Sequence, residues 1–315
     1  MRSPIIPIIL KQLSIWVVTT FLLIVIIFIP RDVVYETSKY GDIQKVIYDY
    51  KLEKHIANIK DFFINLKTNH GLGTYYEENT IEEHIIDKSS RSLKLIIPAL
   101  LLGFFLGILK GMFDFVTKDR KLGIGNSTTW LMLSIPDLFF MISIQLTLMF
   151  LYEIGLLPHI DLYGHEKVEN LIVCIVFLAI YPLLFIANMT YTSLIEEESK
   201  DYIITAKSKG ISRLKIIRIH MLKNAFQKIL VNSNTMTLYM LSNLFIVEFL
   251  TNYRGAAFYF FQAISTPNTF VVGTVFSMNL NTAVGFTIIF TLIIFFSNAF
   301  FHIINYLMTP KGNKV

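Results

Sequence analysis

Charge is scarce in this sequence. Only 16% of its 315 residues are Asp, Glu, Lys or Arg, against about 25% in soluble domains. A water-facing surface on a chain of this length needs more, so a soluble globular domain is excluded. Cysteine is nearly absent. Cys174 stands alone in an apolar run, which excludes an intrachain disulfide and reads as a small packing residue. No Gly-x-x-x-x-Gly-Lys-Ser/Thr sequence occurs, so the chain carries no phosphate-binding loop of its own. Neither His-Glu-x-x-His nor Gly-x-Ser-x-Gly occurs. The histidines are scattered: His55, His70 and His84 lie in one polar segment, His159 and His165 in another. No catalytic residue and no metal site is expected. Acids near hydrocarbon depth reduce to Asp137 and Glu248, each close to the end of an apolar run. That scarcity argues against an ion-coupled transporter, which keeps ionisable groups well inside its helices.

What the chain has in abundance is apolar residues, at 54%, with a mean hydropathy of +0.56. They come in blocks. Leu13–Ile29, Leu95–Leu109 and Leu171–Ile195 are each free of charge. Crossing about 30 Å of hydrocarbon takes roughly 20 mostly apolar residues. Six spans are expected, near 12–30, 93–111, 130–152, 170–190, 229–250 and 283–308. The first run is long for a signal peptide and ends in Ile29-Pro-Arg-Asp32 with no small-residue cleavage site, so it reads as a retained span.

The segments between the spans alternate in charge. Arg2 and Lys11 precede the first span without an acid. Lys110, Lys118, Arg120 and Lys121 outnumber Asp114 and Asp119 in the second cytoplasmic segment. Residues 190–228 hold eight Lys/Arg against four acids, and Lys311 and Lys314 follow the last span. Residues 153–170 hold one Lys against four acids, and 251–282 only Arg254. Basic loops stay in the cytoplasm, so both termini are expected there. The net charge of +5 fits this bias, and no nucleic-acid partner is expected. The chain divides into 1–30 (tail and first span), 31–92 (a long extracytoplasmic segment, partly helical) and 93–315 (a core of five spans). In the second span Gly103, Gly107 and Gly111 recur every four residues, which lines small residues along one face and allows close helix packing.

The cytoplasmic loop 191–228 is the most informative stretch. Residues 198–209 can form a helix. Gly210 follows as its natural end, after Lys207 and Lys209, which suit the negative pole of the helix. Ser212 is placed to cap a second helix, in which Leu214, Ile217 and Met221 share a face away from Arg213, Lys215 and Arg218. Two short basic and apolar helices at a bend result. They suit either an anionic lipid surface or the groove of a partner protein.

The stretch Asp201-Tyr-Ile-Ile-Thr-Ala-Lys-Ser-Lys-Gly210, followed by His220-Met-Leu-Lys-Asn-Ala225, resembles the cytoplasmic loop of ABC importer permeases of the dipeptide, oligopeptide and nickel branch. There the pattern reads D-Y-V-R-T-A-R-A-K-G, then H-A-L-R-N-A. Further elements match in order: Gly71-Leu-Gly-Thr-Tyr75, Leu133-Ser-Ile-Pro-Asp-Leu-Phe139, Gly155-Leu-Leu-Pro158 and Val247-Glu248. Departures occur as well. Pro30-Arg-Asp-Val33 stands for P-G-D-P, Lys228 for a proline, Tyr253-Arg-Gly-Ala256 for P-G-L-G, and Thr309-Pro-Lys311 for D-P-R.

The resemblance implies an all-α membrane protein with about six spans and a type I ABC importer permease fold. It implies one of two permease subunits in the bacterial cytoplasmic membrane, paired with a similar second subunit. Its partners would be two cytoplasmic ATPases, which bind the ATP, and an extracytoplasmic substrate-binding protein. No cofactor is expected on this chain. Asp201, Tyr202, Thr205, Ala206, Lys207, Lys209, Gly210, Leu214, His220 and Asn224 would couple it to the ATPases. Gly103, Gly107, Ser134, Pro136 and Glu248 are candidates for structural or translocation roles. The cargo would be oligopeptides or dipeptides. The altered outer motifs leave a second reading open: a permease scaffold turned to signalling or assembly without transport.

Overall fold

A computed structural model describes residues 5–31, 33–37, 43–48, 50–76, 79–119, 125–265 and 278–308. Arg2, Asp32, Arg120, Lys121, Lys311, Lys314 and the Thr309–Lys311 element, all used in the sequence argument, lie outside these residues. The helices are α1 (Ile5–Ile27), α2 (Leu52–Thr68), α3 (Ile81–Thr117), α4 (Asn126–Ser134), α5 (Asp137–Glu153), α6 (Val168–Glu198) and α7 (Asp201–Ser208). After them come α8 (Arg213–Lys215), a π-helical segment (Ile216–Met221), α9 (Leu222–Leu250), α10 (Ala256–Ile264) and α11 (Leu280–Met308). The strands β1 (Val33–Thr37), β2 (Ile43–Tyr48), β3 (Thr74–Tyr76) and β4 (Asn79–Thr80) form two small antiparallel pairs. The fold is that of a helical membrane protein.

Among the described residues, α1, α3, α6 and α11 are long and apolar enough to cross a membrane, and the bent pair α4–α5 makes a fifth candidate. The span expected near 229–250 falls on α9. There Lys223, Asn224, Gln227 and Lys228 occupy the first turns, and the apolar stretch is limited to Thr235–Leu250.

The span expected at 130–152 is a broken one. α4 and α5 meet at 102°. Proline at 136 disfavours helical backbone in the residue before it, and Ile135 is extended, with ψ 132°. The break frees backbone acceptors, and one is recovered: the Tyr181 hydroxyl on α6 donates to the Ile135 carbonyl. The C-terminal end of α5 stops at Gly155, in the left-handed region at φ +74°. Gly155 N–H donates to Tyr152 O at 2.9 Å and Leu156 N–H to Leu151 O at 3.0 Å, the closing bonds of a glycine-terminated helix.

The chain forms two compact units. The first takes in Met1–Gln12, Leu93–Tyr253 and Ile294–Val315. Its frame is α6, which packs along α9 and receives α3 on a seam of small residues. A Cβ at Gly103 would lie 2.9 Å from Pro182 Cβ, and one at Gly107 2.7 Å from Ile186 Cβ and 2.8 Å from Leu183 O. A Cβ at Gly111 would lie 2.5 Å from Thr190 Cβ. Backbone therefore meets backbone along α3, as dispersion-driven packing in lipid favours. Nearby, Asp114 is fully buried in α3. Lys110 pairs with it from one turn earlier. Thr129 of α4 donates to Asp114 at 2.7 Å and accepts from Lys110 at 2.9 Å. Cys174 is fully buried, and its Sγ lies 3.3 Å from the Thr251 hydroxyl.

The second unit takes in Leu13–Ser92 and Arg254–Ile293. The segment 31–92, expected to be partly helical, contains α2 and also the two strand pairs. Phe28, Phe62 and Val284 form one buried cluster, and Ile81, Ile85, Ala256 and Phe286 another. Leu72 borders both. Its N–H donates to the Glu82 carboxylate, and its carbonyl accepts from Asn281 Nδ2 at 2.8 Å. His55 bridges Val25 O at 2.8 Å and the Tyr50 hydroxyl at 2.9 Å.

Candidate functional site

The loop 191–228 lies wholly in the first unit. α6 runs on to Glu198, so α7 starts at Asp201 rather than at 198. Ser199 and Lys200 make the break. α7 ends where the sequence places its end. Gly210 adopts φ +73°, and nothing lies within 4 Å of where its Cβ would stand. The glycine is therefore required by backbone conformation alone. Gly210 N–H donates to Lys207 O at 3.0 Å, and Ile211 N–H to Ala206 O at 3.3 Å.

Beyond the bend the structure departs from expectation in three ways. Ser212 holds the cap position with extended backbone, but its side chain makes no capping bond. The helix it begins is not short: α8, the π segment and α9 continue one another to Leu250. Leu214 is not on the buried face and stands 61% exposed. The buried set is Ile216, Ile217 and Met221, because the wider π turn brings residues five apart, such as Ile216 and Met221, onto one side. These three pack with Phe115, Leu194, Ile203, Ala206 and Ala225 in one apolar core. Ala206 is thus part of the support for α7, not of its outer surface.

The opposite side of this hairpin is open. Ile204, Leu214 and Ile219 are exposed among the exposed basic side chains Lys207, Lys209, Arg213, Lys215, Arg218 and Lys223. Thr205 is exposed too, and its hydroxyl donates to Asp201 O at 3.0 Å. His220 is half-buried and Asn224 exposed. The result is a basic surface with apolar points, carried on a buried apolar foundation.

Charge underneath organises the hairpin, a feature that reading the sequence for spans and motifs does not reveal. Glu197 is 1% exposed and is held by Lys200 and by the Tyr202 hydroxyl. Burial, and after it the bond to Glu197, pushes the Tyr202 phenol up to about 12. The phenol therefore stays protonated and able to donate. Its oxygen also accepts from Asn224 Nδ2 at 2.9 Å. Glu196 pairs with Lys228, and Glu198 with Lys118 and, at 3.7 Å, with Lys207. The signal available in the sequence is the run Glu196-Glu-Glu198 with Lys200 three residues after Glu197.

The remaining candidates lie apart from this hairpin. Gly103 and Gly107 sit in the α3–α6 seam. Ser134 and Pro136 flank the α4–α5 break, with the Ser134 hydroxyl donating to Trp130 O at 2.9 Å. Glu248 is fully buried near the end of α9, and its carbonyl accepts from Tyr253 N–H at 2.9 Å. The arrangement offers a surface that can be pushed or held. Among the described residues, no group of three His, Cys, Asp or Glu side chains is placed to hold a metal ion.

Known proteins supply the context. Residues 99–313 match the family model described as "Binding-protein-dependent transport system inner membrane component". The chain is 26% identical over 205 residues to the dipeptide transport system permease protein DppB of Bacillus subtilis. That match covers 65% of this chain and 63% of the relative's length, just under two thirds. It is 25% identical to the protein of the same name from Lactococcus lactis, covering 81% of this chain and 86% of the relative. Among solved structures it resembles a chain of the MetNI methionine ABC transporter in an inward-facing conformation. The TM-score is 0.52 at 16% identity, over 72% of this chain and 96% of that one, a likeness of fold. With the family model matched over most of its length, the chain belongs to the binding-protein-dependent transport system inner membrane components.

Proposed function

We propose that this chain is a transmembrane subunit of an ATP-driven importer of peptides, and that the α7–α8 hairpin couples it to a cytoplasmic ATPase. The observation that carries this reading is the hairpin itself. It is a left-handed glycine bend presenting basic and apolar side chains over a buried foundation, within the residues matched by the family. The relatives named as dipeptide permeases support the cargo class. In this reading the hairpin and both termini face the cytoplasm of a bacterial cell, and the basic character of residues 190–228 supports that side for the hairpin.

In this reading Asp201, Tyr202, Thr205, Ala206, Lys207, Lys209, Gly210, Leu214, His220 and Asn224 form or support the docking surface. A second permease chain completes the membrane part. Two ATPase subunits hydrolyse the nucleotide, and an extracytoplasmic binding protein delivers the peptide. The chain itself is not catalytic. Nucleotide shifts the permease between conformations only by binding its ATPase partners differently in each.

The test is affinity purification of the tagged chain from native membranes in mild detergent, with partners identified by mass spectrometry. Recovery of a second permease chain and an ATPase is expected. Recovery of the chain with neither contradicts the importer reading and favours a scaffold used in signalling or assembly.

A further inference from the structure

Three helices of the first unit converge on one phenol oxygen. Tyr202, in the first turn of α7, donates to Glu197 in the last turn of α6 and accepts from Asn224 of α9 at 2.9 Å. Glu197 is 1% exposed, and Lys200 holds it from the break between α6 and α7. Two of the neighbouring ties are wetter, while the third, between Lys118 and Glu198, is 17% and 26% exposed. Glu196 and Lys228 are 53% and 45% exposed, and Lys207, which reaches Glu198, is 54% exposed. Ion pairs open to water contribute little. The line from Glu197 through Tyr202 to Asn224 is the one anchored on a buried carboxylate, where hydrogen bonds to a charged group are strongest.

The apolar contacts beneath α7, through Ile203 and Ala206, hold the helix down but are non-directional. They permit it to slide or rotate. Hydrogen bonds with fixed partners do not. A phenylalanine at 202 would fill the same space and could neither donate to Glu197 nor accept from Asn224.

We infer that Tyr202 is a positioning residue whose hydroxyl, held between Glu197 and Asn224, locks α7 to α6 and α9 so that force on α7 moves the three helices together. The force comes from the coupling reading above. The lock itself is a property of this chain.

The test uses the complete purified membrane complex with Tyr202→Phe. Hydrogen exchange of the α7 amides is expected to be about tenfold faster, the effect of one lost hydrogen bond to a charged group. Exchange along α3 from Gly103 to Gly111 serves as the control and is unchanged. Asn224→Ala leaves Glu197 with both its partners and serves where Tyr202→Phe fails to fold. The double variant exchanges no faster than the faster single one, because both remove the same tie. In liposomes, a tryptic digest of casein is the peptide probe. Peptide imported per ATP hydrolysed falls in both variants, and this ratio does not depend on how much complex is folded. Unchanged α7 exchange in both variants overturns the lock, whatever the cargo. Faster exchange with an unchanged ratio overturns its role in coupling. A wild-type complex that imports no peptide from the digest overturns the proposed function instead, and hydrogen exchange alone then decides whether the lock exists.

Discussion

Two contacts of α6 are built on opposite principles. Along its middle, α6 meets α3 through glycine, and the contact has no charge and no slack: missing Cβ atoms are what allow it. At its end, α6 meets α7 and α9 through three consecutive glutamates: Glu196 pairs with Lys228 of α9, Glu197 with Lys200 at the break, and Glu198 with Lys207 of α7 and with Lys118 just past α3. The first contact sits within the apolar runs, where lipid cannot drive helices together and close packing must. The second sits where water is available and charged groups can be both paired and released. One helix thus combines a contact fixed by shape along its middle with contacts fixed by charge at its end.

This contrast can be broken, and the largest effect is expected on the glycine side. Gly107→Val puts methyl groups against Ile186 Cβ and the Leu183 carbonyl, and backbone cannot step aside. About 3 kcal/mol is expected, at the upper end for forced overpacking. It would be read as a lower melting temperature in detergent and poor recovery of the monodisperse complex. A melting temperature like that of the unaltered protein would show that the seam has room the structure does not contain.

Gly210→Val is expected to be smaller and different in kind. Nothing lies near the missing Cβ, so only the left-handed backbone is penalised, by about 1–2 kcal/mol. Membrane insertion and the melting temperature should change little, while uptake is lost because the bend is displaced. Normal uptake in this variant would count against the docking surface.

Reversing Lys207 and Lys209 to Glu should weaken ATPase co-purification by up to about 1 kcal/mol per charge, more at low salt than at high salt. Co-purification that is unchanged at low salt would remove both lysines from the interface. Least is expected of Arg213→Ala. Its 3.3 Å pair with Asp119 is exposed on both sides, so about 0.5 kcal/mol or less is at stake, and a melting-temperature loss of several degrees would show a buried role for that arginine.

Much of this architecture is readable from residue order. Gly103, Gly107 and Gly111 announce a close-packed face by spacing alone, and Gly210 announces a bend because it follows a basic helical end. The break between α4 and α5 is not legible in hydropathy, although Ile135-Pro136 supplies its cause. The apolar run continues through the proline, and hydropathy does not register backbone geometry. The exposure of Leu214 escapes helical periodicity for a related reason. Helical spacing assumes a regular turn, and the π segment at Ile216–Met221 shifts the buried face by its wider winding. The strand pairs within 31–92 leave no clear trace, because a segment that mixes apolar and charged residues has no clean period of two.

Composition and order determine by themselves that this chain lives in a membrane, which loops carry basic charge, and which positions demand glycine. Those properties are local: they depend on hydrocarbon thickness, on the sign of a side chain, and on the conformations open to one residue. Which glutamate is buried, which lysine answers it, and that Tyr202 stands between Glu197 and Asn224 were decided only when α6, α7 and α9 packed together. Pairing between residues distant along the chain is set by where the backbone returns, and no period or count in the sequence records that.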